Sequence, residues 1–194
     1  MQELRSVTGR VAVLDRADVD TDQILPARFL ARVSRTGYED ALFADWREQP
    51  DFSLQAGATI LLAGARFGVG SSREHAVWAL QDGGFRVVLA PSFGDIFRNN
   101  AAQNGLLAAV VDEDAAARLR AALAAEPATD VTVDLEAKEV RWGRGSASFD
   151  VPDAVRHKLL IGADDIALTL SRADLIDRYE RDRPARLPRT AQPT

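Results

Sequence analysis

Apolar residues fall in short runs along this chain, and the spacing of those runs predicts most of its elements. Gly9–Leu14 and Ala58–Ala63 read as strands, the second apolar enough to be buried on both faces. Arg86–Ala90 and Leu106–Val111 repeat the pattern, with Pro91 ending the first of the pair. Between them lie stretches of helical character. Ser71–Gln81 carries Ala76, Val77 and Leu80 on one side and stops at Gly83-Gly84; Ser92–Gln103 and the alanine-rich Asp112–Glu126 follow. Alternation of strand and helix predicts parallel strands with helices packed against them. The pattern then changes. Asp130–Leu135 and Glu139–Trp142 alternate about a short polar turn, as a hairpin does, with Ala147–Val151 as a third strand. Past Pro152 helical stretches run to about Arg181, so residues 1–182 are expected to form one mixed α/β domain. The tail, residues 183–194, holds three of the eight prolines and reads as extended or frayed. Near the N-terminus Tyr38–Arg47 predicts a short helix, whereas Pro26–Glu39 mixes arginine, glycine and aromatic residues without periodicity and reads as a long irregular loop.

Composition narrows the function classes. A net charge of −5 argues against a general nucleic-acid or membrane-surface binder. No apolar run approaches the roughly 18–20 residues that span a bilayer, and residues 1–9 have no secretory h-region, so the expected compartment is the cytoplasm. Cysteine is absent and the histidines are two, His75 and His157. Thiolate chemistry and a self-held iron–sulfur cluster are thereby excluded, and a zinc site of the usual kind is disfavoured. No metal ligand is assigned.

Three polar constellations remain. In Phe67–Ala76 (FGVGSSREHA) a glycine-rich turn joins a predicted strand to a predicted helix. Unpaired N–H groups and the helix dipole at such a junction attract an anion. Gly68 and Gly70 would let a ligand approach the backbone, Arg73 offers a planar fork suited to a carboxylate, and Ser71 and Ser72 add hydroxyls. The same spacing fits a capping box, Ser71 with Glu74, which would need no function at all. Asp18–Ile24 (DVDTDQI) places three acids at alternate positions, which suits an Asx-rich capping turn and lacks the rest of a calcium loop. Arg28, Arg32 and Arg35 crowd the irregular segment, either as solvated surface or as anion ligands. Phe93, Ile96 and Phe97 are at helical spacing and suit a core.

The segments DTDQILPARFL (residues 20–30), GVGSSREHA (68–76) and APSFGDIFRNNAAQNGLL (90–107) resemble the 3-isopropylmalate dehydratase small-subunit family, in its order and at plausible spacing. TGYEDALFADW (36–46) and DDIALTL (164–170) extend the likeness over most of the chain, which is more distantly similar to the C-terminal domain of aconitase. The resemblance implies a swivelling β/β/α domain that completes an active site whose [4Fe–4S] cluster sits on a large subunit. It also implies a reversible dehydration of isopropylmalate in leucine biosynthesis, with no cofactor on this chain and a small dicarboxylate as substrate. By match to the family motif Ser71 would be the base, Arg73 and Ser72 would hold a substrate carboxylate, and Asp22 would stand near the catalytic groups. Arg35 would be a second substrate arginine, while Phe29, Leu30 and Val33 would meet the isopropyl group. The loop holding them is expected to be mobile without ligand and partner. The alternatives are a related hydro-lyase with another side-chain preference and a non-enzymatic anion-binding module.

Overall fold

The computed structural model describes residues 1–71, 73–184, 186 and 187. Within them eight strands alternate with eight helices: β1 (Ser6–Gly9), β2 (Val11–Leu14), α1 (Thr21–Ile24), α2 (Ala44–Arg47), β3 (Ile60–Ala63), α3 (Glu74–Asp82), β4 (Val87–Ala90), α4 (Asp95–Asn104), β5 (Leu107–Val111), α5 (Glu113–Ala125), β6 (Val131–Asp134), β7 (Glu139–Trp142), β8 (Gly145–Asp150), α6 (Asp153–Ile161), α7 (Asp165–Leu170) and α8 (Ala173–Asp182). The strand order is β1-β6-β7-β8-β5-β4-β3-β2. From β2 to β5 the neighbours are parallel, and every other pairing is antiparallel.

Arg10 alone separates β1 from β2, yet the two strands stand at opposite ends of that order. The sheet must therefore fold back on itself, and its two halves face each other. Side chains of the parallel strands alternate between two cores accordingly. Ile60, Leu62, Val87 and Leu89 point toward Val131, Val133, Val140 and Trp142 of the antiparallel half. Leu61, Ala63, Val88 and Ala90 point the other way, toward Ala76, Val77 and Leu80 of α3 and Phe97 and Ala101 of α4. The result is a β/β/α arrangement, the fold class expected. All four residues of β3 are fully buried, and each buried aliphatic side chain contributes roughly 1.5–3 kcal/mol of transfer free energy.

Several boundaries differ from the sequence reading, each for a local reason. The first strand begins at Ser6 and breaks at Arg10, where the chain changes sheets. Helix α3 starts at Glu74, because Gly68 and Gly70 both adopt positive φ, 75° and 91°. Its N-cap is Arg73, with no side-chain capping bond, so the capping box of Ser71 and Glu74 is not formed. A capping box does form in the acidic segment: Asp20 accepts from the Gln23 amide at 2.8 Å, and the Gln23 side chain accepts from the Asp20 amide at 2.9 Å. Residues 92–94 run beside Phe67 in a short parallel bridge, which delays α4 to Asp95. The predicted helix over Tyr38–Arg47 shrinks to Ala44–Arg47, since Phe43 is left-handed at φ 51°.

Helices α7 and α8 bury no residue. Ile166, Leu170 and Tyr179 are 70%, 65% and 62% exposed, and a groove of about 690 Å³ runs between these helices and His157 of α6. Part of the predicted tail, Ala185 and residues 188–194, lies outside the described residues. Among the described residues no helix is long and apolar enough to cross a membrane.

Candidate functional site

Parallel strands send all their carboxyl ends to one edge, where connecting loops converge. Here those loops are sewn together by backbone bonds. After β2, Val19 O accepts from the amides of Gly68 (2.7 Å) and Val69 (3.2 Å), and Thr21 N donates to Val69 O (3.0 Å). After β3, Phe67 N donates to Ser92 O (3.0 Å), and Gly94 N returns to Phe67 O (2.9 Å). The loop after β3 is thus held on both sides by its neighbours. Gly68 faces inward: a Cβ there would lie 2.3 Å from the Phe97 ring, and its amide is already committed to Val19. Its lack of a side chain serves packing. Gly70 is exposed, and a Cβ there would meet nothing nearer than 3.6 Å, so glycine is required by its φ alone.

Ser71 emerges exposed from this loop, with its carbonyl accepting from the Thr21 hydroxyl at 3.1 Å. Two residues on, Arg73 Nη1 donates to Asp22 Oδ1. The arginine side chain is 15% exposed and the carboxylate 51%. Asp22 stands in the first turn of α1, which the Asp20–Gln23 box holds. That contact uses one of the five guanidinium N–H donors, and it is the one side-chain hydrogen bond of Arg73 among the described residues.

The irregular segment sorts its arginines. Arg28 pairs with Asp45 at 2.6 Å. Arg32 forms a two-pronged pair with Asp40, 2.7 Å at each oxygen. That hydrogen-bonded pairing raises the Arg32 pKa and lowers that of Asp40. Both guanidiniums lie 4.8 Å from the Phe29 ring centre. Arg35 instead lies 5.7 Å from the Trp78 ring. Trp78 is one turn beyond Glu74, about 6 Å along the axis of α3. Phe29 and Leu30 pack against the α-side core, while Val33 is 97% exposed. Among the described residues no group of three or more His, Cys, Asp or Glu could hold a metal ion. With no cysteine in the sequence, an iron–sulfur cluster does not fit the residues of this chain.

Residues 1–114 match the family model of the aconitase C-terminal domain, and residues 117–153 match LeuD_N. Residues 165–192 match the C-terminal domain of the 3-isopropylmalate dehydratase small subunit. The 3-isopropylmalate dehydratase small subunit of Acidothermus cellulolyticus is 55% identical over 98% of each chain. Its counterpart from Micrococcus luteus is 52% identical, covering 98% of this chain and 96% of its own. The crystal structure of a 3-isopropylmalate dehydratase from Methanocaldococcus jannaschii superposes with a TM-score of 0.67 at 26% identity, covering 90% of this chain and 99% of that one. The chain belongs to the 3-isopropylmalate dehydratase small-subunit family.

Of the positions that the small-subunit motifs mark, the fold brings Asp22, Ser71 and Arg73 to one place and sets Arg35 over the same helix that Arg73 begins. Ser72 lies outside the described residues. Phe29 and Leu30 are held partly in the core, and Val33 projects beyond it. His75 packs in an aromatic group, 4.6 Å from Trp78 and 5.8 Å from Tyr38. Sequence reasoning missed the residues that hold the site in place. Asn104 accepts from Trp78 Nε1 (3.0 Å) and donates to Glu74 Oε1 (2.8 Å), so one amide ties α4 to the first turn of α3. The capping turn expected at Asp18–Ile24 does form, with Asp20 as the cap; only its Gln23 partner went unread, although an acid three residues before Gln is a capping-box signature. Asn104 left no such signal, because its partners are distant in sequence.

Proposed function

We propose that this chain supplies the proton-abstracting and carboxylate-binding side of a hydro-lyase that interconverts 2-isopropylmalate and 3-isopropylmalate in leucine biosynthesis, working with a large subunit that carries the metal cluster. The observation that supports it best is that neighbouring residues of α1 hold both ends of the Ser71–Arg73 stretch, Thr21 at the carbonyl of an exposed, non-capping Ser71 and Asp22 at the Arg73 guanidinium. Dehydration requires removal of a proton from a carbon beside a carboxylate. A neutral serine hydroxyl is a weak base, so an alkoxide must be stabilised where it forms. The α3 N-terminus offers about half a positive charge, and Arg73 a whole one. Asp22 keeps the guanidinium turned toward the loop, leaving its other donors for a substrate carboxylate. Arg35 would take a second carboxylate and Val33 would meet the isopropyl group, with Phe29 and Leu30 supporting it from the core. We place the enzyme in the cytoplasm.

Reconstitution with the large subunit, iron and sulfide under anaerobic conditions tests this reading, with isopropylmalate, homocitrate and citramalate as substrates. Activity on isopropylmalate in the mixture alone is the expected result. Ser71→Ala should then lower kcat by about 10²–10⁴-fold with an unchanged melting temperature. Full activity in Ser71→Ala would assign the base elsewhere.

A further inference from the structure

The segment that carries Val33 and Arg35 is closed at its base by one buried side chain. Tyr38 is fully buried, and its single O–H proton lies between the carbonyls of Ser34 at 2.9 Å and Arg32 at 3.1 Å. Its backbone N–H donates to Asp82 Oδ2 at 2.9 Å, and its ring contacts His75 and Trp78 of α3. Residues 32–38 therefore make a short closed loop, bolted to the helix that begins beside Arg73. Asp82 is an odd residue for its place. It ends α3, where the helix dipole disfavours an anion. The bond to Tyr38 accounts for it, because a carboxylate there receives an otherwise unpaired buried amide.

We propose that Tyr38 and Asp82 are positioning residues for substrate: the Tyr38 hydroxyl sets the shape of the loop, and Asp82 fixes that loop to α3, so that Arg35 and Val33 stand at a set distance from Ser71 and Arg73. This rests on the reading above that Arg35 and Val33 face the substrate. The ties give the loop a reason to be held in the free chain, against the mobility its sequence suggested. Loss of one shared hydrogen bond releases the loop by about tenfold, and the release acts on substrate binding and leaves proton abstraction alone.

The test uses the full chain, alone and reconstituted. Tyr38→Phe removes the hydroxyl and keeps the ring. In the free chain, trypsin cleavage after Arg32 and Arg35 should quicken about tenfold. In the reconstituted enzyme, KM for isopropylmalate should rise about tenfold while kcat holds within about twofold. Asp82→Ala should reproduce both changes, and Asp82→Asn, which keeps an acceptor for the Tyr38 amide, should largely reverse them. Arg35→Ala separates the two ideas. If it raises KM while Tyr38→Phe and Asp82→Ala change neither cleavage nor KM, the positioning role is overturned. If Arg35→Ala and Tyr38→Phe both leave KM unchanged although cleavage quickens, the substrate-facing reading of the loop falls, and the proposal falls with it.

Discussion

The parallel and antiparallel halves of the sheet bury the same core and lead to different surfaces. In the antiparallel half, β6 joins β7 through residues 135–138 and β7 joins β8 through residues 143–144. These turns complete a ladder and go no further. In the parallel half each return to the starting edge requires a crossover, and the connections run through residues 15–59, 64–86 and 91–106. All of the residues assigned to substrate come from the first two of these connections. The lesson is topological: long crossovers are forced by parallel pairing, their ends meet at one edge, and the residues proposed for chemistry lie at that polar meeting place. The tight hairpins have no room for it.

That contrast can be broken by substitution. Gly68→Ala strikes the loop of the parallel half, where a Cβ would overlap the Phe97 ring at 2.3 Å and φ is +75°. The expected cost is roughly 2–4 kcal/mol, from overpacking and a left-handed non-glycine residue, with loss of turnover because Ser71 moves with the loop. Denaturant unfolding and kcat measure the two effects. Val140→Ala strikes the antiparallel half at a fully buried position in the core between the sheets. It should cost about 2 kcal/mol with turnover per folded molecule unchanged. A fall in kcat there would show that the antiparallel half does more than support.

The smallest effect sharpens the comparison within the parallel half itself. Arg32 and Asp40 are held as a charged pair, with the carboxyl lowered and the guanidinium raised by their shared hydrogen bonds. A carboxyl lowered on folding contributes stability that is present above its unfolded value, about 4, and is lost as pH falls through the folded one. The melting temperature of Asp40→Asn should therefore lie slightly below that of the parent between pH 6 and 8. The gap should close as pH falls below about 4. A gap that persists there would mean that Asp40 acts through packing and that its charge is incidental.

Much of this was legible from the sequence. The runs at Ala58–Ala63 and Leu106–Val111 were apolar on both faces, which is what a middle layer between two cores requires. The motif around Ser71 was visible as well, but its local physics was misleading: the Ser71–Glu74 spacing fits a cap that two positive-φ glycines prevent from forming. The supports were not legible. Tyr38 meets Asp82 and Trp78 meets Asn104 across 44 and 26 positions of sequence, and no periodicity marks such pairs. The closure of the sheet at Arg10 was hidden for a similar reason, since one residue at a strand break carries no sign of which sheet comes next.

The apolar side chains that α7 and α8 leave in water have a consequence for the chain as a solute. At low ionic strength its charge of −5 keeps copies apart. As salt shortens the screening length to about 3 Å at 1 M, that repulsion is removed while the attraction between Ile166, Leu170 and Tyr179 on different copies persists. Sulfate strengthens the attraction further. The expected outcome is a chain that stays dispersed in dilute buffer and self-associates as sulfate is added, a change that light scattering measures and that polar replacements at Ile166 and Leu170 should weaken.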